Sequence, residues 1–236
     1  MTFRYIGSKS RLVDKIASHI GPPRKGAFFV DAFCGTGAVA EAAAEHGWNV
    51  RINDSLHSAV ISAGARLISH DQVTFKKLGG YSGAVSKLNA VKPLHDFMWR
   101  TYSPASIDTC GIERRYFTEE NAAKIDAMRC LIVEWKGAGY IDEIEERLLI
   151  ADLFSALNRV ANIAGTFGCF LSKWTSQSQN KIAMRCRDLK ETGVCVEASV
   201  GDVFDVPNVA HDLVYLDPPY TKRQYCLLYT SPSPRD

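Results

Sequence analysis

The chain of 236 residues has no strong excess of either charge, since 28 Lys and Arg oppose 26 Asp and Glu for a net charge of +2. A global positive field that would attract nucleic acid is therefore absent, and any phosphate contact must come from local clusters of basic residues. The sequence also lacks an apolar run of transmembrane length and a secretory signal pattern at its N-terminus. With 46% hydrophobic residues, these absences predict a soluble globular protein without a membrane partner.

The cysteines lack a pattern as well. There are seven, scattered along the chain and without a C-x-x-C pair. This argues against a disulfide framework and against a zinc site, and it predicts reduced thiols in a cytoplasm. No internal repeat and no low-complexity segment is present. The length suits one large domain, or one domain with a sizeable insertion.

The sequence does contain a distinctive tetrapeptide, Asp217-Pro218-Pro219-Tyr220, directly after the apolar run 212–216. That run predicts a buried strand, which two prolines must end because neither can donate to a sheet ladder. Open α/β sheets bind ligands at the carboxyl ends of their strands. Asp217 and the Pro218 carbonyl can accept the two N–H bonds of an amino-bearing base, and the Tyr220 ring can stack on that base. The alternative is a strand that ends in an ordinary turn with an incidental aromatic residue.

A second strand, predicted over 27–31, is followed by a loop with two glycines and an alanine-rich helix to about residue 45. Strand, glycine turn and helix form the first half of a βαβ unit. Gly35 and Gly37 would let the backbone approach a ligand closely. The next predicted strand, 47–54, ends in Asp54, an acid placed for ribose hydroxyls.

The same loop satisfies the dinucleotide pattern G-x-G-x-x-A through Gly35, Gly37 and Ala40, so a nicotinamide or flavin enzyme is an alternative. Two features oppose it: Asp31 ahead of the loop and the later Asp-Pro-Pro-Tyr turn. An acid at position 31 would repel a pyrophosphate but would suit a cationic or amino-bearing ligand.

A further strand is predicted over 194–200 and is followed by Asp202. Asp31, Asp54, Asp202 and Asp217 would then all lie at strand ends of one α/β sheet. Four acids along one edge predict a ligand-binding rim.

Residues 55–195 are mainly helical by their hydrophobic period, with helix starts near Thr118 and Asp142. The second of these helices is predicted to bury Ile144, Leu148, Leu149, Leu153 and Leu157. Residues 181–190 contain four basic side chains that could track a phosphate backbone or simply form a solvated surface: Lys181, Arg185, Arg187 and Lys190.

The order of these motifs resembles that of the Dam-like, alpha-ordered D12 class of adenine-specific DNA methyltransferases. The resemblance covers residues 3–225 and is carried by Tyr5-x-Gly7-x-Lys9, Asp31-x-Phe33-x-Gly35-x-Gly37, Asn53-Asp54, Gly201-Asp202 and Asp217-Pro218-Pro219-Tyr220. It implies a Rossmann-like S-adenosylmethionine-dependent methyltransferase sheet with an inserted helical target-recognition region.

The resemblance also implies roles for these residues. The tetrapeptide 217–220 would be catalytic and would hold a flipped adenine of double-stranded DNA, so that its N6 amino group is methylated. Asp54 would hold the ribose of S-adenosylmethionine, and Asp202 the amino group of its adenine. The rest of the cofactor pocket would be formed by Tyr5, Gly7, Lys9, Asp31, Phe33, Gly35 and Gly37. We expect a monomer, acting alone or beside a cognate restriction endonuclease.

The sequence departs from the family at its end. About seven strands are expected, and four are visible, so we interpret 226–236 as a non-native tail on a truncated chain. The catalytic domain would comprise 1–54 and 196–225, and the insertion 55–195. Two alternatives stay open: an amino-group methyltransferase for RNA or protein, and a remnant that binds cofactor or DNA without catalysis.

Overall fold

A computed structural model of the chain describes residues 12–165, 167–191, 193–210 and 212–218. These residues form two compact units. The sheet unit consists of residues 12–73 and 188–218, and the helical unit consists of residues 74–187. Within the described residues, the chain therefore leaves the sheet unit after residue 73 and returns to it at residue 188.

The sheet unit contains four parallel strands, β1 (Phe28–Asp31), β2 (Asn49–Asp54), β3 (Val196–Val200) and β4 (Leu213–Tyr215), in the order β3-β2-β1-β4. All four strands confirm the sequence prediction within a few residues. A mixed α/β fold with a parallel sheet is typical of Rossmann-like proteins. In this order β1 is central, with β2 on one side and β4 on the other.

Three helices accompany the sheet: α1 (Val13–Ile20), α2 (Ala38–Glu45) and α3 (His57–Arg66). They share one apolar core with one face of the sheet, in which Phe29, Val50 and Ile52 are almost fully buried. The alanines of α2 have small side chains, which let the helix lie close to the strands. α3 packs on β2 and β3, and the compact helical unit therefore begins only at Thr74, later than residue 55.

The helical unit contains α4 (Gly80–Ala90), α5 (Phe97–Tyr102), α6 (Ile107–Cys110), α7 (Glu119–Gly137) and α8 (Glu143–Val160). The predicted helix starts are confirmed, because Thr118 caps α7 and Asp142 forms a capping box with Glu145 at the start of α8. None of the helices in the described ranges is both long and apolar enough to cross a bilayer.

The buried stripe of α8 differs from the predicted one. Leu148, Leu149 and Leu153 are buried as expected, but Ile144 and Leu157 are only partly covered. Two acids, Glu145 and Asp152, occupy the buried positions instead. Glu145 accepts hydrogen bonds from the backbone N–H groups of Thr74 (2.9 Å) and Phe75 (2.5 Å), which explains its burial.

Candidate active site

The carboxyl ends of the strands gather three of the predicted acids. Asp31 is the last residue of β1, Asp54 is the last residue of β2, and Asp217 follows β4. Because the strands are parallel, these ends lie along the same edge of the sheet. Asp217 and Asp54 both act electrostatically on Asp31, so the three carboxyl groups form one cluster.

Asp31 is the most perturbed member of this cluster. Its side chain is almost completely buried, and its Oδ1 atom has no hydrogen-bond partner among the described residues. Burial, followed by repulsion from Asp217 and Asp54, raises the pKa of Asp31 from 3.8 to about 7. The backbone N–H groups of Phe33 and Ala40 oppose this rise. A buried carboxylate with a spare acceptor atom would be stabilised by a cationic ligand.

Asp54 ties the loop after β1 to the end of β2. Its Oδ2 accepts the backbone N–H of Gly35 at 3.0 Å, and its Oδ1 accepts that of Leu56 at 3.0 Å. A carboxylate has about four acceptor positions, so two remain for further donors. Asp54 is therefore both a structural brace and a group with free acceptor capacity.

The glycine loop lies in close contact with α3, and this contact restricts which residue can occupy position 37. Gly37 has φ +75°, and a Cβ atom at this position would lie 2.6 Å from the Cα of Ala63. The required close approach is thus to a helix of the same unit, which the sequence did not reveal. Within the loop, burial raises the pKa of the Cys34 thiol, so this side chain is neutral and is no nucleophile at neutral pH.

Asn53 connects the carboxyl ends of three strands by hydrogen bonds. Its buried amide Nδ2 donates to the carbonyl groups of Ala32 and Gly201, each at 3.3 Å, and its Oδ1 accepts the Ser199 hydroxyl at 2.8 Å. These bonds join the ends of β1, β2 and β3. Asn53 is part of one of the sequence motifs, but no role was predicted for it. A polar residue inside a buried strand needs hydrogen-bond partners, and this could have indicated its role.

Sequence comparison identifies the family. The model of the family described as "D12 class N6 adenine-specific DNA methyltransferase" matches residues 5–232 of the chain. The chain belongs to this family. The match extends beyond Tyr225, the point near which the sequence predicted the end of native sequence, so the comparison does not confirm a truncation.

Curated relatives of this methyltransferase family include modification enzymes from bacteria. The chain is 32% identical to the type II methyltransferase M.FokI of Planomicrobium okeanokoites, 30% identical to the modification methylase StsI of Streptococcus sanguinis, and 31% identical to the type II methyltransferase M.NlaIII of Neisseria lactamica. These matches cover 96%, 96% and 94% of the chain. The chain spans 35% of the length of the first two relatives and 65% of the third. No solved structure matches the chain significantly.

Other predicted residues of the methyltransferase site differ in their placement. Asp217 and Pro218 are partly buried at the rim, whereas Tyr5, Gly7, Lys9, Pro219 and Tyr220 lie outside the described residues. Asp202 is exposed, and its Oδ1 accepts the Phe204 N–H at 3.0 Å, which caps the short 3₁₀ turn Val203–Asp205. The acids that raise the pKa of Asp31 do not include Asp202.

The four basic residues proposed for DNA contact are divided between the two units. Lys190 lies in the sheet unit and pairs with Glu45; the other three lie in the helical unit. Lys181 forms an exposed pair with Glu120 at 3.3 Å, and Arg187 is paired with the buried Asp152 at 2.7 Å. Among the described residues, Arg185 has no ion pair or hydrogen bond, so it is the least engaged of the four. They do not form one continuous basic run.

Proposed function

We propose that the protein transfers a methyl group from S-adenosylmethionine to the N6 amino group of adenine in double-stranded DNA. The observation that supports this most directly is the buried Asp31, whose Oδ1 has no hydrogen-bond partner in the described ranges and which is close to Asp217. We further propose a cytoplasmic monomer, a target-recognition region within the helical insertion, and a restriction endonuclease as a functional partner.

The residues present fit S-adenosylmethionine. The unpartnered Oδ1 of Asp31 can accept a bond from the ammonium group of the methionine part, whose charge offsets the repulsion from Asp54 and Asp217. Asp54 retains acceptor capacity for the ribose hydroxyls. Asp202 is proposed to accept the adenine amino group, with the remaining contacts made by Tyr5, Gly7, Lys9, Phe33, Gly35 and Gly37.

S-adenosylmethionine, when bound, supplies a methyl group activated by a sulfonium. The role of Asp217 and of the Pro218 carbonyl is to accept the two N–H bonds of the target amine. That amine is a poor nucleophile because its lone pair is delocalised into the purine ring. Accepting both hydrogens favours a more tetrahedral nitrogen, so positioning and electrostatics lower the barrier.

The target adenine must leave the duplex before it can reach this rim. Base flipping costs stacking energy, which the Tyr220 ring would offset by stacking on the base. Pro218 and Pro219 fix the backbone between the acid and the aromatic residue, because each proline restricts its own φ and the residue before it.

The proposal is tested by Asp217→Ala in the full chain. Loss of the acceptor should lower methyl transfer to duplex DNA by about 10²-fold or more, whereas cofactor binding should persist because Asp31 and Asp54 remain. Transfer of a labelled methyl group and crosslinking of labelled cofactor measure the two quantities separately. Asp205→Ala, which removes an exposed acid of the same sheet unit, is the matched control. Equal loss of binding and transfer in Asp217→Ala would contradict the assigned role.

A further inference from the structure

An extended segment of the helical unit, residues 180–187, is referred to below as the strap. It follows α8 and forms no regular helix or strand. Ile182 and Met184 are buried, whereas Lys181, Ala183 and Arg185 are exposed. The alternation resembles that of a β-strand with one solvent-facing side, and it turns Arg185 outward.

Side-chain amides form the backbone hydrogen bonds of the strap that a neighbouring strand would otherwise form. Asn121 of α7 accepts the Ile182 N–H at 2.9 Å and donates to the Asn180 carbonyl at 2.8 Å. Asn89 of α4 accepts the Met184 N–H at 2.8 Å and donates to the Met184 carbonyl at 3.0 Å. Two helices thus hold the backbone of the strap in place, and this fixes the positions from which its exposed side chains project.

The end of the strap is fixed by a buried charged group. Arg187 donates from Nε (2.8 Å) and Nη2 (2.7 Å) to Oδ1 of Asp152 on α8. The Tyr81 hydroxyl donates to Oδ2 of Asp152 and accepts the Arg187 N–H at 3.1 Å. Both oxygens of Asp152 are therefore occupied. Burial raises the pKa of Asp152, and the charge of Arg187 and the Tyr81 hydrogen bond oppose that rise.

Arg159 and Arg185 form no ion pair with any acid in the part of the chain that the structure describes. Arg159, in the last turn of α8, donates from Nη2 to the Ala183 carbonyl of the strap at 2.8 Å. Burial, and then repulsion from Arg185, lowers the pKa of Arg159. Asp152 also attracts Arg159, but its Oδ1 is already bonded to Arg187, so one carboxylate serves two arginines. Arg185 adds a further positive charge that acts on Arg159.

We propose that Arg159 and Arg185 together bind a backbone phosphate of DNA. This inference rests on the proposed function, because it names the part of the helical unit that holds the DNA substrate. Guanidinium groups form paired hydrogen bonds with phosphate oxygens, and an anion between two arginines removes their mutual repulsion. A phosphate contact of this kind positions the duplex without reading its sequence.

The test measures the affinity of the full chain for a fluorescent DNA duplex over a series of salt concentrations. Each phosphate contact contributes about 0.9 to the slope of log affinity against log salt. Because the two arginines share one phosphate, Arg185→Gln and Arg159→Gln should each reduce the slope by up to about 0.9, and the double variant should lose no more than about 0.9 in total. Arg185→Lys should keep most of the slope. Arg147→Gln, on α8 like Arg159 but paired with Glu143, should leave the slope unchanged.

The outcomes separate this site from the proposed function. Arg185 is exposed and makes no bond among the described residues, so Arg185→Gln should fold like the unmodified chain, as thermal unfolding will show. A normal slope in Arg185→Gln, an equal drop in Arg147→Gln, or an unmodified chain that binds no duplex would overturn the phosphate site. Methyl transfer with an unchanged slope would reject this site alone. A reduced slope without methyl transfer to adenine would reject the proposed function alone.

Discussion

Asp31 and Asp152 are both buried aspartates, one at the end of β1 in the sheet unit and one within α8 of the helical unit. They are exposed to similarly small extents, 1% and 3%. Asp152 has a guanidinium on one oxygen and a phenol on the other. Asp31 has one oxygen without a hydrogen-bond partner among the described residues and is close to two further acids.

The difference in partners distinguishes a carboxylate that stabilises the fold, Asp152, from one that we propose binds a ligand, Asp31. Removing a carboxylate from water costs several kcal/mol unless an opposite charge and hydrogen bonds replace the water. Asp152 obtains much of that replacement from Arg187 and Tyr81 of its own chain, although burial still raises its pKa. Within the part of the chain that the structure describes, Asp31 receives only backbone N–H groups, and this deficit is why we propose a cationic ligand for it.

Arg187→Met should produce the largest change. It keeps much of the side-chain volume but leaves Asp152 buried without its cation, which typically costs about 3–5 kcal/mol of unfolding free energy. Denaturant unfolding measures the loss. Arg185→Met, two residues away on the strap and without an acid partner, is the matched control and should have little effect. Equal losses in both variants would show that the strap, and not the pairing of Asp152, sets the cost.

Asp31→Asn should act in the opposite direction. Ionised Asp31 is unfavourable in the folded chain, and a pKa of about 7 against 3.8 sets an upper limit of about 4 kcal/mol on the gain from removing its charge. The buried amide hydrogens of Asn offset part of this. We expect a net stabilisation of about 1–2 kcal/mol at pH 8 without cofactor, and weaker cofactor binding. Destabilisation at pH 8 would mean that Asp31, like Asp152, is satisfied within the chain.

The pH dependence of that difference has a defined sign. A carboxyl group with a raised folded-state pKa binds its proton more tightly when folded, so rising pH between about 4 and 7 favours unfolding. The advantage of Asp31→Asn should therefore increase with pH by at most about 1.4 kcal/mol per pH unit and level off above pH 7. Parallel unfolding curves at pH 5, 6, 7 and 8 measure it. A difference independent of pH would show that Asp31 does not titrate in this range.

The sequence predicted the strands and the acids that end them, because alternation, buried runs and proline stops are local signals. It did not predict α4, whose Gly80, Ser82 and Gly83 have low helix propensity; burial of Ala84, Val85 and Leu88 compensates for it. The pairing of Arg187 with Asp152 joins residues 35 positions apart and depends on tertiary packing. For the same reason, the sequence did not distinguish the paired from the unpaired basic residues of 181–190, because the acids that pair with them are distant in the chain.

The exposed pair of Lys181 and Glu120 completes the comparison. Their side chains are 84% and 65% exposed, and water and salt screen their attraction at 3.3 Å. Lys181→Gln should therefore change the unfolding free energy by less than about 0.5 kcal/mol, although the pair resembles Arg187 and Asp152 in charge. The same denaturant titration measures this, with Arg187→Met as the positive reference. A loss near that of Arg187→Met would show that the strap depends on ion pairs along its whole length, and burial would no longer explain why Asp152 needs its partner.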